Sequence, residues 1–514
     1  MEKWNINSPD IPIVFEINET GNWIKKNGFT KVGLQFPDEL LGISVVVCKQ
    51  LNDIATSCLC VILGDSSFAS CCVDEIAGQH MGIDALVHYG RACLSETTGR
   101  LPIYYVFGKY SPCLLRNEFK LFKQIPHNVM QRIVSYSEIP PILLIIYDFR
   151  FKDVAQYIYQ ELMSISDSLD HKFPHLIWTE PATEASNNRS HLIRCGRLLI
   201  PYQSDCNISN RTNDERSWMM LYIGHTTGTT TTENNCDLLS IYRILLCCPE
   251  VDPLKTVVFD PVTCDLDLSG LQVTNLLKRR SYLVERAKDA QYIGILVCTL
   301  SIKDYQCIID RLKELLRRAK RFCITLFVGR LNPAKLANLP ELQLLILIAC
   351  PETSLYNSRD IHIPIITPYE MECVLRSCNN IDGQYLNDDR TWTAEKCWVD
   401  FRDLLPSGRA YVPLENVTPE LTESLADISL VDGHSRLISG TNSKYSMDNS
   451  QTLVVQQSSE LIESSHWDFN MNKFNRTWYG LDQEIGQTPV AHVKDGRIGL
   501  PTKYTHENQI QSSD

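Results

Sequence analysis

The sequence predicts an α/β protein of three related α/β domains with mainly parallel sheets, at residues 1–130, 131–266 and 267–405. A flexible linker over 406–465 and a C-terminal tail over 466–514 that packs on the body complete the expected organisation. Three observations predict this class. Short, continuously apolar runs read as strands buried on both faces, stretches of helical periodicity separate them, and the strand–turn–helix–strand pattern recurs three times.

The first copy opens with KVGLQFPDELLGISVVVCKQL (Lys31–Leu51), a short strand, a Pro-Asp turn and a helical stretch. It continues in CLCVILGDSS (Cys58–Ser67), a β-branched strand ending in Gly-Asp, and in the strand ALVHYG (Ala85–Gly90). The second copy is PPILLIIYDFRFKDVAQYIYQELM (Pro140–Met163) followed by HLIWTE (His175–Glu180). In the third, QYIGILVCTL (Gln291–Leu300) leads into a helix from Lys303 to Lys320, where Ile308, Ile309, Leu312, Leu315 and Leu316 form one apolar stripe. FCITLFVGRL (Phe322–Leu331) and LQLLILIAC (Leu342–Cys350) supply its later strands. Ligands of such sheets sit beyond the carboxyl ends of the strands, so chemistry is sought in the loops that follow strands.

After Asp403 the chain turns rich in Ser, Thr, Asn and acidic residues with weak periodicity, which predicts the linker. Aromatics return in WDFNMNKFNRTWYGLDQEIGQTPV (Trp467–Val490), and Trp478, Tyr479 and Leu481 are costly to expose. A formal net charge of −12 over 514 residues argues against a protein that coats nucleic acid, so no direct nucleic-acid binding is expected. The opening residues lack a basic start followed by an apolar run, and no stretch reaches the ~18 apolar residues of a membrane span. A cytoplasmic chain without membrane contact is expected. Its 20 cysteines should then stay reduced, as small core residues or metal ligands and not as bridges.

Most cysteines, such as Cys298 and Cys323, fall inside apolar strands or helices and read as core. Cys71 and Cys72 follow the strand ending at GDSS, Cys93 follows ALVHYG, and Cys350 ends LLILIA just before Pro351. These thiols can converge if the domains surround a shared centre. Three thiolates suit zinc or an iron–sulfur cluster, although zinc ribbons bring close pairs that Cys350 lacks. Cys71 and Cys72 are no such pair, because neighbours on a strand point to opposite faces. Spacing alone leaves both a metal centre and ordinary structural cysteines open.

Other constellations carry less. YIGHTTGTTTTENN (Tyr222–Asn235) reads as a polar linking turn without the Gly-Lys-Ser/Thr ending of a phosphate loop. His88, beside Tyr89, reads as a hydrogen-bonded strand-end residue and not as a proton carrier. LLKRRSYLVERAK (Leu276–Lys288) reads as a solvated helix face, and Asp74 and Glu75 as helix caps.

Two long blocks carry a family resemblance: SFASCCVDEIAGQHMGIDALVHYGRACLSET (Ser67–Thr97) and LFVGRLNPAKLANLPELQLLILIACPETSLYNSRDIHIPIITPYEME (Leu326–Glu372). Both resemble the diphthamide biosynthesis radical enzymes, and RTWYGLDQEIGQTPVAHVKDGRIGLP (Arg476–Pro501) is similar to the terminal motif of subunit 2 of the eukaryotic enzyme. The middle domain is least alike. The resemblance implies a heterodimer of related subunits, each with three α/β domains around a central [4Fe–4S] cluster held by cysteines of separate domains. It implies cleavage of S-adenosylmethionine and transfer of a 3-amino-3-carboxypropyl group to one histidine of elongation factor 2, with an electron-donor protein. Carried onto this chain, the metal ligands are Cys72, Cys93 and Cys350, with Cys71 as the alternative to Cys72.

The catalytic subunit has a middle-domain cysteine in a Gly-Cys-Thr motif, whereas here IRCGRLLIPYQ (Ile193–Gln203) puts Cys195 before its glycine, in an apolar strand. The resemblance therefore implies a non-catalytic accessory subunit that supports reduction of the cluster of a related catalytic subunit 1. The alternatives are a chain that itself cleaves S-adenosylmethionine, or a zinc or metal-free scaffold.

Overall fold

The computed structural model describes residues 10–64, 68–110, 122, 124–136, 142–166, 175–182, 192–201, 218–225, 236–248, 250–355, 361–377, 392, 397–406, 408–417, 425–431, 433–438, 499–500 and 503–504. The chain divides into two units, Met1–Asn442 and Ser443–Asp514.

Three α/β sheets build the first unit. In the first sheet, β1 (Lys31–Gln35), β2 (Leu59–Ile62), β3 (Ala85–Tyr89) and β4 (Ile103–Val106) run parallel in the order β2-β1-β3-β4. Val32, Leu34, Val87 and Tyr89 pack on Val47 and Leu51 of the helix Leu41–Ile54, which removes one sheet face from water. At the amino end of β3, Asp84 accepts from Thr30 N at 2.8 Å, Thr30 Oγ1 at 2.6 Å and Lys31 N at 2.9 Å, which bolts β3 to the start of β1. Those hydrogen bonds, the Thr30 hydroxyl first, hold the exposed Asp84 carboxyl below its ordinary value. A depressed carboxylate stabilises the fold above its unfolded pKa, and the contribution is lost as pH falls through the folded value. Asp84→Asn is expected to cost on the order of 1 kcal/mol near neutrality and to flatten the acid limb of the stability curve. Urea midpoints of both proteins across pH 7 to 3 check this.

The second sheet has seven strands, in the order β11-β10-β9-β5-β6-β8-β7. Parallel pairing joins β10 (Val251–Asp260), β9 (Trp218–Ile223), β5 (Ile142–Tyr147) and β6 (His175–Pro181). Antiparallel additions widen it: β11 (Asp265–Asp267) on one edge, and β8 (Arg197–Pro201) with β7 (Leu192–Arg194) on the other. The apolar strand expected to contain Cys195 is instead a hairpin. Cys195 (φ 49°) and Gly196 (φ 67°) form its two-residue turn, and two left-handed residues are what such a turn demands.

In the third sheet, β12 (Tyr292–Val297), β13 (Phe322–Phe327), β14 (Leu344–Ile348) and β15 (Ile365–Ile366) are parallel in the order β13-β12-β14-β15. The helix Tyr305–Arg318 buries the whole expected stripe, Ile308, Ile309, Leu312, Leu315 and Leu316. Each such side chain contributes about 1.5–3 kcal/mol when removed from water. The helix is shorter than expected because left-handed residues, Asp304 (φ 63°) and Lys320 (φ 54°), flank it.

The basic run at Leu276–Lys288 lies on the helix Thr274–Asp289, where Arg280, Val284 and Ala287 are buried, so one of its basic residues departs from the solvated reading. Arg280 is 3% exposed and pairs with the buried Glu370. Beside it, Glu372 accepts from Arg311 at 2.7 and 3.0 Å and from Arg376 at 3.0 Å.

Within 406–465, Leu425–Ile428 and Ser435–Ile438 form an antiparallel pair, and Ser429 between them donates to Asp289 at 2.7 Å. In the second unit Gly499–Leu500 pairs with Lys503–Tyr504. The packing expected of Trp478, Tyr479 and Leu481 lies outside the described residues, as does most of the linker. No helix among the described residues is long and apolar enough to cross a membrane.

Candidate metal centre

Loops at the carboxyl ends of the first and third sheets carry the candidate thiols. Cys350 stands two residues beyond β14 and is fully buried. Cys71 (8% exposed) and Cys72 (3%) lie in a loop after β2. Cys93, half-buried, follows β3. All four sulfurs lie within 4.8 Å of one another, and Cys71 Sγ is 3.7 Å from Cys350 Sγ.

The opposite-face argument against Cys71 and Cys72 fails here, because they sit in a turn and not on a strand. Cys72 N donates to Ala69 O at 2.9 Å, and Cys93 N donates to Cys71 O at 3.0 Å. The turn curls both side chains toward the same point.

Buried acids hold the surrounding loops. Asp74 caps the helix Glu75–His80 by accepting from Ala77 N at 2.9 Å, as expected. Glu75 does more than cap. Its fully buried carboxylate accepts from Thr98 N at 3.1 Å, Arg100 N at 2.9 Å, Leu101 N at 3.4 Å and the Thr98 hydroxyl. This ties the helix after Cys72 to the loop after Cys93. That loop in turn joins the third sheet, with Thr98 N on Ser301 O at 3.0 Å and Lys303 N on Glu96 O at 2.9 Å. Glu352, two residues past Cys350, accepts from Arg91 at 2.6 Å and from Arg243 at 3.0 Å.

Hydrogen bonds from Cys71, then Cys72 and Cys93, hold the Cys350 sulfur far below the ordinary thiol value. The same contacts, those with Cys350 first, push Cys71 and Cys72 up. The negative charge thus rests on Cys350, and ionising Cys71 or Cys72 beside it needs a cation among them. The donor set is all sulfur, which selects soft metals: zinc, or iron as an iron–sulfur cluster. These residues fit either.

Cys195 is not among the four. It forms a disulfide with Cys247, Cα–Cα 6.3 Å, so the expectation that the cysteines stay free of bridges is overturned for this pair. The hairpin turn brings Cys195 against the end of the helix Cys236–Cys247, within the Cα separation a disulfide spans. The turn also touches the candidate centre's wall: a Cβ on Gly196 would lie 2.5 Å from Leu94 Cβ and 2.8 Å from Leu94 O.

His88 is the hydrogen-bonded residue expected. It is 1% exposed, its Nε2 is 3.2 Å from Ser70 O, and burial lowers its pKa to about 4. In the polar turn Tyr222–Asn235, His225 Nδ1 meets the buried Asp260 at 2.9 Å, and residues 226–235 lie outside the described set. Sequence reasoning passed over Gln35, Arg91, Cys247 and Glu352. Only Gln35 left a signal, as an amide at the carboxyl end of a strand whose preceding residues, Val32 to Leu34, are apolar or glycine.

The family model for diphthamide synthesis proteins matches residues 36–386. A relative from Danio rerio, 2-(3-amino-3-carboxypropyl)histidine synthase subunit 2, is 33% identical over 98% of this chain and 94% of its own length. Its namesake from Xenopus laevis is 34% identical over 97% of this chain and 93% of its own. Among solved structures, Dph2 from Pyrococcus horikoshii with 4Fe-4S cluster superposes with a TM-score of 0.47 at 17% identity, covering 70% of this chain and 90% of that one. With the family model spanning more than half its length and relatives alike almost end to end, the chain belongs to the diphthamide synthesis protein family.

Proposed function

We propose that the four-sulfur group holds a [4Fe–4S] cluster and that the chain is the iron–sulfur subunit of a 2-(3-amino-3-carboxypropyl)histidine synthase. In this reading the complex transfers a 3-amino-3-carboxypropyl group from S-adenosylmethionine to a histidine of elongation factor 2 in the cytoplasm. The observation that carries it is the meeting of Cys71, Cys72, Cys93 and Cys350 across as many as 279 residues of chain. The relatives' names support the reaction.

Cys72, Cys93 and Cys350 are the ligands, with Cys71 as the fourth sulfur at the same centre. A bound cluster supplies one-electron chemistry. The chain supplies thiolates, a dry enclosure and the hydrogen bonds that keep the loops in place. The accessory role is favoured by the middle domain, whose Cys195 is bridged to Cys247 and brings no sulfur to the centre. Electrons then pass from a donor protein through this chain to the cluster of a related catalytic subunit. The domain limits of this reading lie near residues 130, 266 and 405, although the helix Gln124–Tyr136 runs across the first and β11 across the second; the ligands follow strands of the first and third sheets.

One observation favours a second reading. The 3.7 Å between Cys71 and Cys350 sulfurs matches the roughly 3.8 Å between tetrahedral thiolates about 2.3 Å from zinc. Metal and sulfide analysis of anaerobically purified chain separates the two. About four irons per chain, with matching sulfide and a brown colour, is expected; stoichiometric zinc without sulfide would replace the cluster by a scaffold. Release of 2-aminobutyrate or homoserine from S-adenosylmethionine by the reduced, isolated chain would overturn the accessory role.

A further inference from the structure

We infer that Gln35 and His88 are positioning residues that turn two adjacent thiols, Cys71 and Cys72, toward one centre. The inference rests on the proposed metal-binding role and goes beyond it to residues with no sulfur of their own.

Adjacent side chains ordinarily diverge, so something must hold this turn. Gln35 ends β1 and His88 is the last residue but one of the neighbouring parallel strand β3, and the two are paired in register. Both are buried, at 3% and 1% exposure. Gln35 Nε2 donates to Cys72 O at 2.9 Å, while its Oε1 accepts from Asp74 N at 2.9 Å. His88 Nε2 lies 3.2 Å from Ser70 O. A carbonyl only accepts, and burial keeps the ring neutral, so Nε2 carries the proton.

Three consecutive carbonyls are thereby claimed. Ser70 O goes to His88, Cys71 O to the Cys93 amide, and Cys72 O to Gln35. With each peptide plane fixed, the Cα–Cβ bonds of Cys71 and Cys72 cannot swing apart without breaking one of these hydrogen bonds. Partners of this kind, one step behind the ligands, set ligand orientation and alter metal affinity about 10–100-fold. Both ends of the Gln35 amide are used, so its orientation is fixed by chemistry: only NH2 serves the carbonyl, and only the oxygen serves the amide.

The test is thiol footprinting of the full-length, metal-loaded chain with iodoacetamide, read by mass spectrometry at each cysteine. Gln35→Leu removes both hydrogen bonds, and Gln35→Glu keeps only acceptance from Asp74 N. Asp84→Asn serves as control, since it loosens the same sheet at its opposite end. Gln35→Leu is expected to raise Cys72 alkylation about tenfold while Cys93 and Cys350 stay protected, with Gln35→Glu intermediate and Asp84→Asn without effect. Protection of Cys72 equal to wild type in Gln35→Leu overturns the inference. So does uniform exposure of all four thiols that Asp84→Asn reproduces. Wild-type chain without iron or zinc would sink the metal reading alone. The same comparison in the metal-free chain then decides the role of Gln35, by whether Cys72 reacts faster in Gln35→Leu.

Discussion

Cys350→Ser is expected to lower the iron retained by anaerobically purified chain at least about tenfold, below the level left by Cys71→Ser or Cys72→Ser. Cys350 is the hub of the group. It is the most buried of the four and the one whose thiolate is held by its neighbours, Cys71 foremost, then Cys72 and Cys93. Serine keeps the size but not the anion, since a buried hydroxyl does not ionise in the range where this sulfur does. Cys71 and Cys72 are next to each other, so either can partly stand in for the other. Cys350 has no neighbour of that kind: Thr353 Oγ1, 3.3 Å from its sulfur, is a poor ligand for soft metals. Iron and sulfide per chain measure the effect, with zinc determined in parallel. Iron equal to wild type in Cys350→Ser refutes the four-sulfur centre.

The second large effect is on stability. Glu372→Gln is expected to cost about 3–5 kcal/mol, because it leaves two buried guanidiniums without the carboxylate between them. Glu372 is fully buried, and Arg311 and Arg376 are 8% and 5% exposed. Arg311 is further committed, donating to Val412 O at 2.6 Å and lying 5.2 Å from the Tyr411 ring centroid. Glutamine preserves the shape and removes the charge, so the loss reports electrostatics and not a cavity. Glu314→Gln is the control on the same helix as Arg311. Its pairs with Arg317 and Arg318 stand at the surface, where water and salt screen them, so a much smaller loss is expected. Urea denaturation of both variants decides it. Equal midpoints would mean that water reaches the Glu372 triad.

The parallel strands were legible because burial on both faces leaves an unbroken apolar run, as in LLILI and YIGIL. The Tyr305–Arg318 helix was legible for the complementary reason, a stripe at helical spacing. The hairpin at Cys195 was not, since a cysteine in left-handed conformation looks like any residue of an apolar stretch. Nor was the inward turn of Arg280: a basic run gives no sign that one member meets Glu370, 90 residues on. At the candidate centre, strand-end placement singled out Cys71, Cys72, Cys93 and Cys350. What placement could not give was the shape of the turn at Cys71. That shape depends on Gln35 and His88, whose hydrogen bonds go to main-chain atoms and leave no pattern in neighbouring residues.

The tie between the Cys93 loop and the Ser301–Lys303 segment has a consequence for how the chain is made. Cys71 leaves the ribosome 279 residues ahead of Cys350, a lag of roughly 14–56 s at about 5–20 residues per second. During that interval three thiols of the early lobe face the cell without the sulfur that completes their group. In the proposed reading, the full set of sulfurs is offered to a metal only once β14 has been synthesised and docked.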